Sequence, residues 1–165
     1  MTWRGANTIW DRLGAGATYL LPMAAGAIFG GSLVTQFEFL VPLVFPFIQL
    51  AAGLSTAVIP PISLQFVVWF AIFLGVVRNP KLRHFLRFHA FQALLIDLAI
   101  ALLGAVLTLF TRLFGELPFW TSLLDTIFTV IFLAAFALSF YSFYWIAQGK
   151  YAEIPVLSDV IYRQI

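Results

Sequence analysis

Asp97 is the residue of this chain whose placement most invites a chemical role. It is the one charge in an apolar run from Phe88 to Phe110, 23 residues long, and lies nine positions past Phe88. In a helix that distance is ~14 Å, which puts the carboxyl near the middle of a ~30 Å hydrocarbon layer. A lone carboxylate there costs about 2.5–3.5 kcal/mol on insertion scales, so it must face other helices, meet a donor or hold a proton. One reading is a proton or substrate site; the other is a neutral or hydrogen-bonded carboxyl that fixes helix packing. Asp125 sits at the opposite mouth of a different apolar run, so no second buried acid or base completes a relay.

The other chemistry-bearing residues are sparse. There is no cysteine, which removes disulfides, thiolate metal sites and thiol nucleophiles together. The two histidines, His84 and His89, stand five apart, and the seven carboxylates are scattered singly, so neither a metal set nor an acid/base pair can be drawn. Phosphate-binding loops, dinucleotide fingerprints and hydrolase or metalloprotease motifs do not occur, so no enzyme and no cofactor is expected. His89 and Gln92 share a helical face and can hydrogen-bond across helices. Gly26 and Gly30 form a small-xxx-small pair that lets a neighbouring helix approach closely.

Arg78, Lys81, Arg83 and Arg87 are packed into one short stretch. Asn79 and Pro80 call for a tight turn, because the residue before proline avoids the helical region. From Lys81 onward Leu82, Phe85, Leu86 and His89 follow helical spacing while Arg83 and Arg87 fall on another face, as in a segment lying at a membrane surface before plunging inward. Anionic headgroups suit these cations, and the basic footprint is too small for nucleic acid.

The elements that must position these residues follow from composition. Hydrophobic residues make up 62% of the 165-residue chain and charged residues 10%, against roughly 45–50% and 25% in soluble proteins. A domain this small cannot hide that much apolar surface from water, so its solvent is lipid. Four stretches qualify as spans: residues 13–33, loosened by Pro22 and several glycines; 61–77, with Pro61 at a helix entry; 88–110; and 123–146, which ends in an aromatic belt of Phe140, Tyr141, Phe143, Tyr144 and Trp145. The second is short, ~26 Å, so a few preceding residues are expected to join it. Residues 39–60, broken by Pro42, Pro46 and Pro60, read as interfacial or re-entrant. Residues 148–165 read as a loose polar surface tail in irregular or short helical form. The small residues Ala25 to Ala27 imitate a signal-cleavage site, but the apolar run continues past them, so the first segment reads as a span.

Charge fixes the orientation. With four spans, eight basic residues (Arg4, Arg12, Arg78, Lys81, Arg83, Arg87, Lys150 and Arg163) share one side and Arg112 alone lies on the other; a fifth span through 39–60 reduces the ratio to six against three. The positive-inside rule therefore favours an all-α polytopic protein, residues 1–165 forming one four-helix membrane domain, with both termini on the cytosolic side or its organellar equivalent.

The segment "FLGVVRNPKLRHFLRFHAFQALLIDL", Phe73 to Leu98, resembles the central motif of the twenty-kilodalton Tic family, a component of the protein translocon at the chloroplast inner envelope with cyanobacterial and algal homologues. "YLLP" at Tyr19 to Pro22 and "EIPVLSDV" at Glu153 to Val160 extend the likeness over most of the chain. His89 stands where asparagine is expected in many members. The resemblance implies an integral subunit of the plastid inner envelope or of a cyanobacterial plasma or thylakoid membrane. It would work with other membrane subunits, lipids and a translocating polypeptide. Two other roles fit the residues alone: a structural or assembly subunit of a photosynthetic or respiratory complex, and a small proton-coupled transporter using Asp97.

Overall fold

The computed structural model describes residues 8–115, 117–155 and 157–164; Arg4 lies outside them. The first apolar segment is helical from Ile9 to Gln36 with two interruptions: α1 (Ile9–Thr18), α2 (Leu20–Ala27), a 3-10 turn over Ile28–Gly30, and α3 (Gly31–Gln36). Thr8 starts α1 through a reciprocal capping box with Asp11, which satisfies amides that the first turn leaves unpaired. The break at Tyr19 follows from Pro22, which has no N–H to give to the carbonyl four residues back.

A further 3-10 turn (Glu38–Leu40) leads into α4 (Val41–Leu54). This helix absorbs two of the three prolines expected to break it. Pro42 sits in the first turn, where a missing N–H is harmless, and Pro46 is carried inside the helix. The chain then forms a short antiparallel hairpin, β1 (Ala57–Ile59) and β2 (Ile62–Ser63), with Ala57 opposite Ser63 and Ile59 opposite Ile62. Pro60 and Pro61 occupy its tip. Pro61 is thus not a helix entry, and no residue before Leu64 lengthens the helix. Ser63 caps α5 (Leu64–Ile72) instead, its hydroxyl accepting from the Phe66 amide at 3.3 Å. One π-helical stretch over Phe73–Val77 completes this element, at ~21 Å even shorter than the sequence requires.

Two long helices follow, α6 (His84–Phe114) and α7 (Pro118–Ala147), and a short amphipathic α8 (Leu157–Gln164). The surface turn expected around Arg83 and Arg87 is no separate element: the chain turns at Arg78 to Leu82 and α6 runs on unbroken through Asp97. Among the described residues three helices are long and apolar enough to cross a membrane, Ile9–Gln36, His84–Phe114 and Phe119–Ala147, with Glu38–Leu54 and Leu64–Val77 as shorter apolar companions.

One end of the bundle gathers the polar ends of four helices. Asp11 at the start of α1 meets Arg83 before α6 at 3.3 Å, and Arg12 donates to the Ala147 carbonyl at the end of α7 at 2.9 Å. Arg87 donates from Nε to the Val77 carbonyl at 2.8 Å. The opposite end is pinned by Trp120, whose indole N–H reaches Thr111 Oγ1 at 3.3 Å, and by the Phe29 and Phe128 rings. Gly26 and Gly30 face α7 within this chain: a Cβ on Gly26 would overlap that of Ala135, and one on Gly30 would lie 2.7 Å from the Phe132 ring.

The tail is not loose. At the end of α7, Gly149 takes φ +70°, its amide bonds the Ile146 carbonyl at 2.8 Å, and the Lys150 amide bonds the Trp145 carbonyl at 2.9 Å. This left-handed cap turns the chain back under the bundle, a conformation glycine adopts without strain. Tyr151 then packs against Phe85 and Phe88, Ala152 and Ile161 are fully buried, and Tyr162 tilts against Phe88.

Candidate functional site

Two groups of polar side chains lie inside the apolar bundle. The first sits near the basic end. His89 is fully buried; its Nε2 lies 3.3 Å from the Lys150 carbonyl and its Nδ1 3.3 Å from the Tyr19 hydroxyl. A carbonyl only accepts, so Nε2 carries the hydrogen, and in the neutral ring Nδ1 accepts from Tyr19. Both features that frame His89 are already accounted for. The pause in the helix before Pro22 brings Tyr19, and the glycine cap of α7 brings the carbonyl. One turn further along α6, Gln92 donates to Ser142 Oγ at 3.5 Å, while its Oε1 is buried without a protein partner. Phe85, Phe88 and Tyr151 close around the His89 ring. Protein encloses this group on every side.

The second group lies deeper. Asp97 is 13 residues past His84, about 20 Å along α6, and only 2% exposed. It finds its donor in Gln65 on the first turn of α5, which gives hydrogen bonds of 3.1 and 3.4 Å to the two carboxylate oxygens. From there α5 descends antiparallel to α6 toward the basic end. Trp69 donates to the Leu94 carbonyl at 3.4 Å, Phe73 packs on Phe91, and the Val77 carbonyl meets Arg87. The short helix therefore covers only the half of α6 between Asp97 and the basic end, and the hairpin before it starts at the depth of Asp97. A cavity of about 440 Å³ opens beside the carboxyl, lined by Ser63, Gln65, Phe66, Trp69, Phe70 and Asp97 among others.

The expected site residues thus divide. His89 and Gln92 share one enclosed network, Asp97 belongs to a separate open one, and the four cations split. Arg83 and Arg87 bind within the chain, whereas Arg78 and Lys81 are exposed at the turn. Sequence reasoning did not identify Tyr19, Ser142, Gln65 or Trp69. Gln65 did carry a signal, as the one amide in the apolar run 61–77. Tyr19 carried only its place in the YLLP motif, and Ser142 carried none that distinguishes it from an ordinary span residue. Among the described residues, no three histidine, aspartate or glutamate side chains converge as a metal site would need.

Long apolar helices enclosing hydrogen-bonded polar residues, with cations gathered at one end, define an all-α integral membrane protein. Its family is equally plain. Residues 5–161 match the family model described as "Chloroplast import apparatus Tic20-like", and the chain belongs to that family. It is 32% identical to a Tic20 family protein of Synechocystis over 94% of this chain and 92% of that one. It is 30% identical to Protein TIC 20-I, chloroplastic, of Arabidopsis thaliana over 94% of this chain but 54% of the other, so it spans about half that relative's length. The Tic20 family protein Ycf60 of Gracilaria tenuistipitata is 29% identical, with 96% and 76% covered. The relatives come from plastid-bearing organisms and a cyanobacterium, which fits an integral protein of a plastid envelope or a cyanobacterial membrane.

Proposed function

We propose that the protein is a non-enzymatic subunit of a protein-import translocon, working with partner membrane subunits to move polypeptides across its membrane. The family match along nearly the whole chain carries this reading. In the arrangement we favour, the chain crosses four times as one membrane domain with a surface tail. Segments α1 to α3, α6 and α7 each make one crossing, and α4, the hairpin and α5 together make the second. The location of Arg12, the Arg78 to Arg87 turn and Lys150 at one end supports this count, since an even number of crossings returns both termini to one side. The positive-inside rule makes that side the cytosol or stroma.

The interior of the bundle supports a partnered role. Tyr19, Phe85, Phe88, Leu94, Ala93 and Ala135 fill it to 2% exposure or less, so the described residues of one copy enclose no continuous aqueous path. A moving polypeptide must run along a flank or between subunits. The test is to stall a precursor during import into membranes that hold the protein, solubilise in mild detergent and isolate the chain. Recovery of the precursor together with other translocon subunits is the expected result. Recovery in a stable photosynthetic or respiratory complex free of precursor would contradict it.

A further inference from the structure

The hairpin between α4 and α5 is an unusual thing to find at this depth. Its base adjoins Gln65, which is bonded to Asp97. Asp97 lies about 20 Å from the start of α6 and about 22 Å from Arg112 at the other end. A three-residue strand adds at most about 10 Å, so the whole hairpin falls within a ~30 Å hydrocarbon layer. Every residue from Ser55 to Ile62 is exposed. A two-stranded ladder pairs one edge of each strand and leaves the other edges with open N–H and C=O groups. Such edges do not face lipid; at membrane depth they occur only against protein or water, because each unpaired group costs several kcal/mol. This flank therefore has an occupant other than lipid.

The chemistry of the flank narrows that occupant. A helix of a neighbouring subunit uses its own backbone groups internally and has none for the hairpin, whereas an extended polypeptide does. Next to the edge, the Asp97 carboxyl and the rings of Phe66, Trp69 and Phe70 line the same cavity. A carboxylate beside aromatic faces attracts an ammonium or guanidinium group. A second copy of this chain apposed through the same face would bring no cation, since Glu38 is the only charge between residues 13 and 77.

We propose that the open edge of the β1–β2 hairpin and the Asp97–Gln65 cavity beside it bind an extended segment of a polypeptide in transit, the edge pairing with its backbone and the cavity receiving a lysine or arginine side chain. This rests on the translocon reading above and specifies where the passing chain lies.

The chain has no cysteine, so single substitutions report cleanly. Ile59→Cys and Ile62→Cys are placed on the hairpin, Leu133→Cys on the exposed face of α7 and Lys81→Cys in the basic turn. A precursor with one cysteine beside a lysine is then stalled in import and the membranes oxidised. Disulfide adducts at positions 59 and 62, severalfold above position 133, are expected. They should fall severalfold when the precursor lysine becomes glutamine, and equally with Asp97→Asn or Gln65→Leu in protein that still inserts. Adducts at position 81 without any at 59 or 62 overturn the inference and leave the translocon reading standing. No adduct at any position overturns both. Hairpin thiols that react with a water-soluble maleimide regardless of precursor, and never with it, identify a water-filled cavity and overturn the inference. So do adducts between two copies of the chain. Hairpin adducts indifferent to the lysine overturn the role given to Asp97.

Discussion

The His89 network and the Asp97 cavity lie eight residues apart on one helix and are built to opposite plans. Around His89, each polar atom of the imidazole has a partner from an element whose geometry is independently fixed, and aromatic rings close the remaining directions. Around Asp97, one neighbouring helix supplies one amide, and the adjoining space is open. Both are buried polar groups in an apolar bundle, and burial alone does not distinguish them. What distinguishes them is closure. A polar group sealed by protein locks helices in register, whereas one left with an opening can meet something that arrives later.

Substitutions can break or sharpen this contrast, and the largest effect belongs to the closed side. Gly26→Leu would drive a side chain into Ala135 on α7, where the contact is a backbone-tethered methyl that cannot swing away. A loss of about 3 kcal/mol or more, or failure to fold, is expected in detergent thermal melts. Gly30 meets the edge of the Phe132 ring, which can rotate, so Gly30→Ala should cost less in the same assay. His89→Leu strands the Lys150 carbonyl and leaves the Tyr19 hydroxyl only Ser142 as a partner, and should destabilise by about 1–3 kcal/mol, with faster proteolysis of the tail from Tyr151 onward. Tyr19→Phe removes only one partner and should lose about 1 kcal/mol.

The open side should respond in the other way. Asp97→Asn keeps an oxygen to accept from Gln65 and should change stability by less than about 1 kcal/mol while impairing import. A melting shift as large as that of His89→Leu would place Asp97 among the packing residues and remove the contrast. The smallest effect is expected at the surface. Arg83→Gln breaks the bridge to Asp11, in which the arginine side chain is 48% exposed, and should cost at most about 0.5–1 kcal/mol, less in high salt.

How much was legible in the sequence follows the same division. Continuous apolar runs announced α6 and α7, and the unbroken apolar stretch with Pro22 announced the first passage together with its weak point. The need of Asp97 for a donor followed from the cost of a lone carboxylate in an apolar run, and Gln65 supplies one. The hairpin was not legible, because residues 57–62 are apolar and proline-bearing, and periodicity cannot separate a short apolar strand from a helix entry. Pro61 suits a helix start as readily as a turn, and Ser63 won because its hydroxyl caps the helix two residues later. The tail's short helical form was legible, but its packing was not, for a related reason. Its polar composition is real, but Tyr151, Ala152 and Ile161 fall on one inward side only once the Gly149 cap has turned the chain.

In the four-crossing path proposed above, the basic turn and the α6–α7 connection lie on opposite sides of the membrane. Single cysteines at Lys81 and Leu117, labelled in sealed membranes with an impermeant maleimide, test it directly. Position 81 should label only from the cytosolic or stromal side and position 117 only from the other. Labelling of both from one compartment would contradict the four-crossing path and everything placed along it.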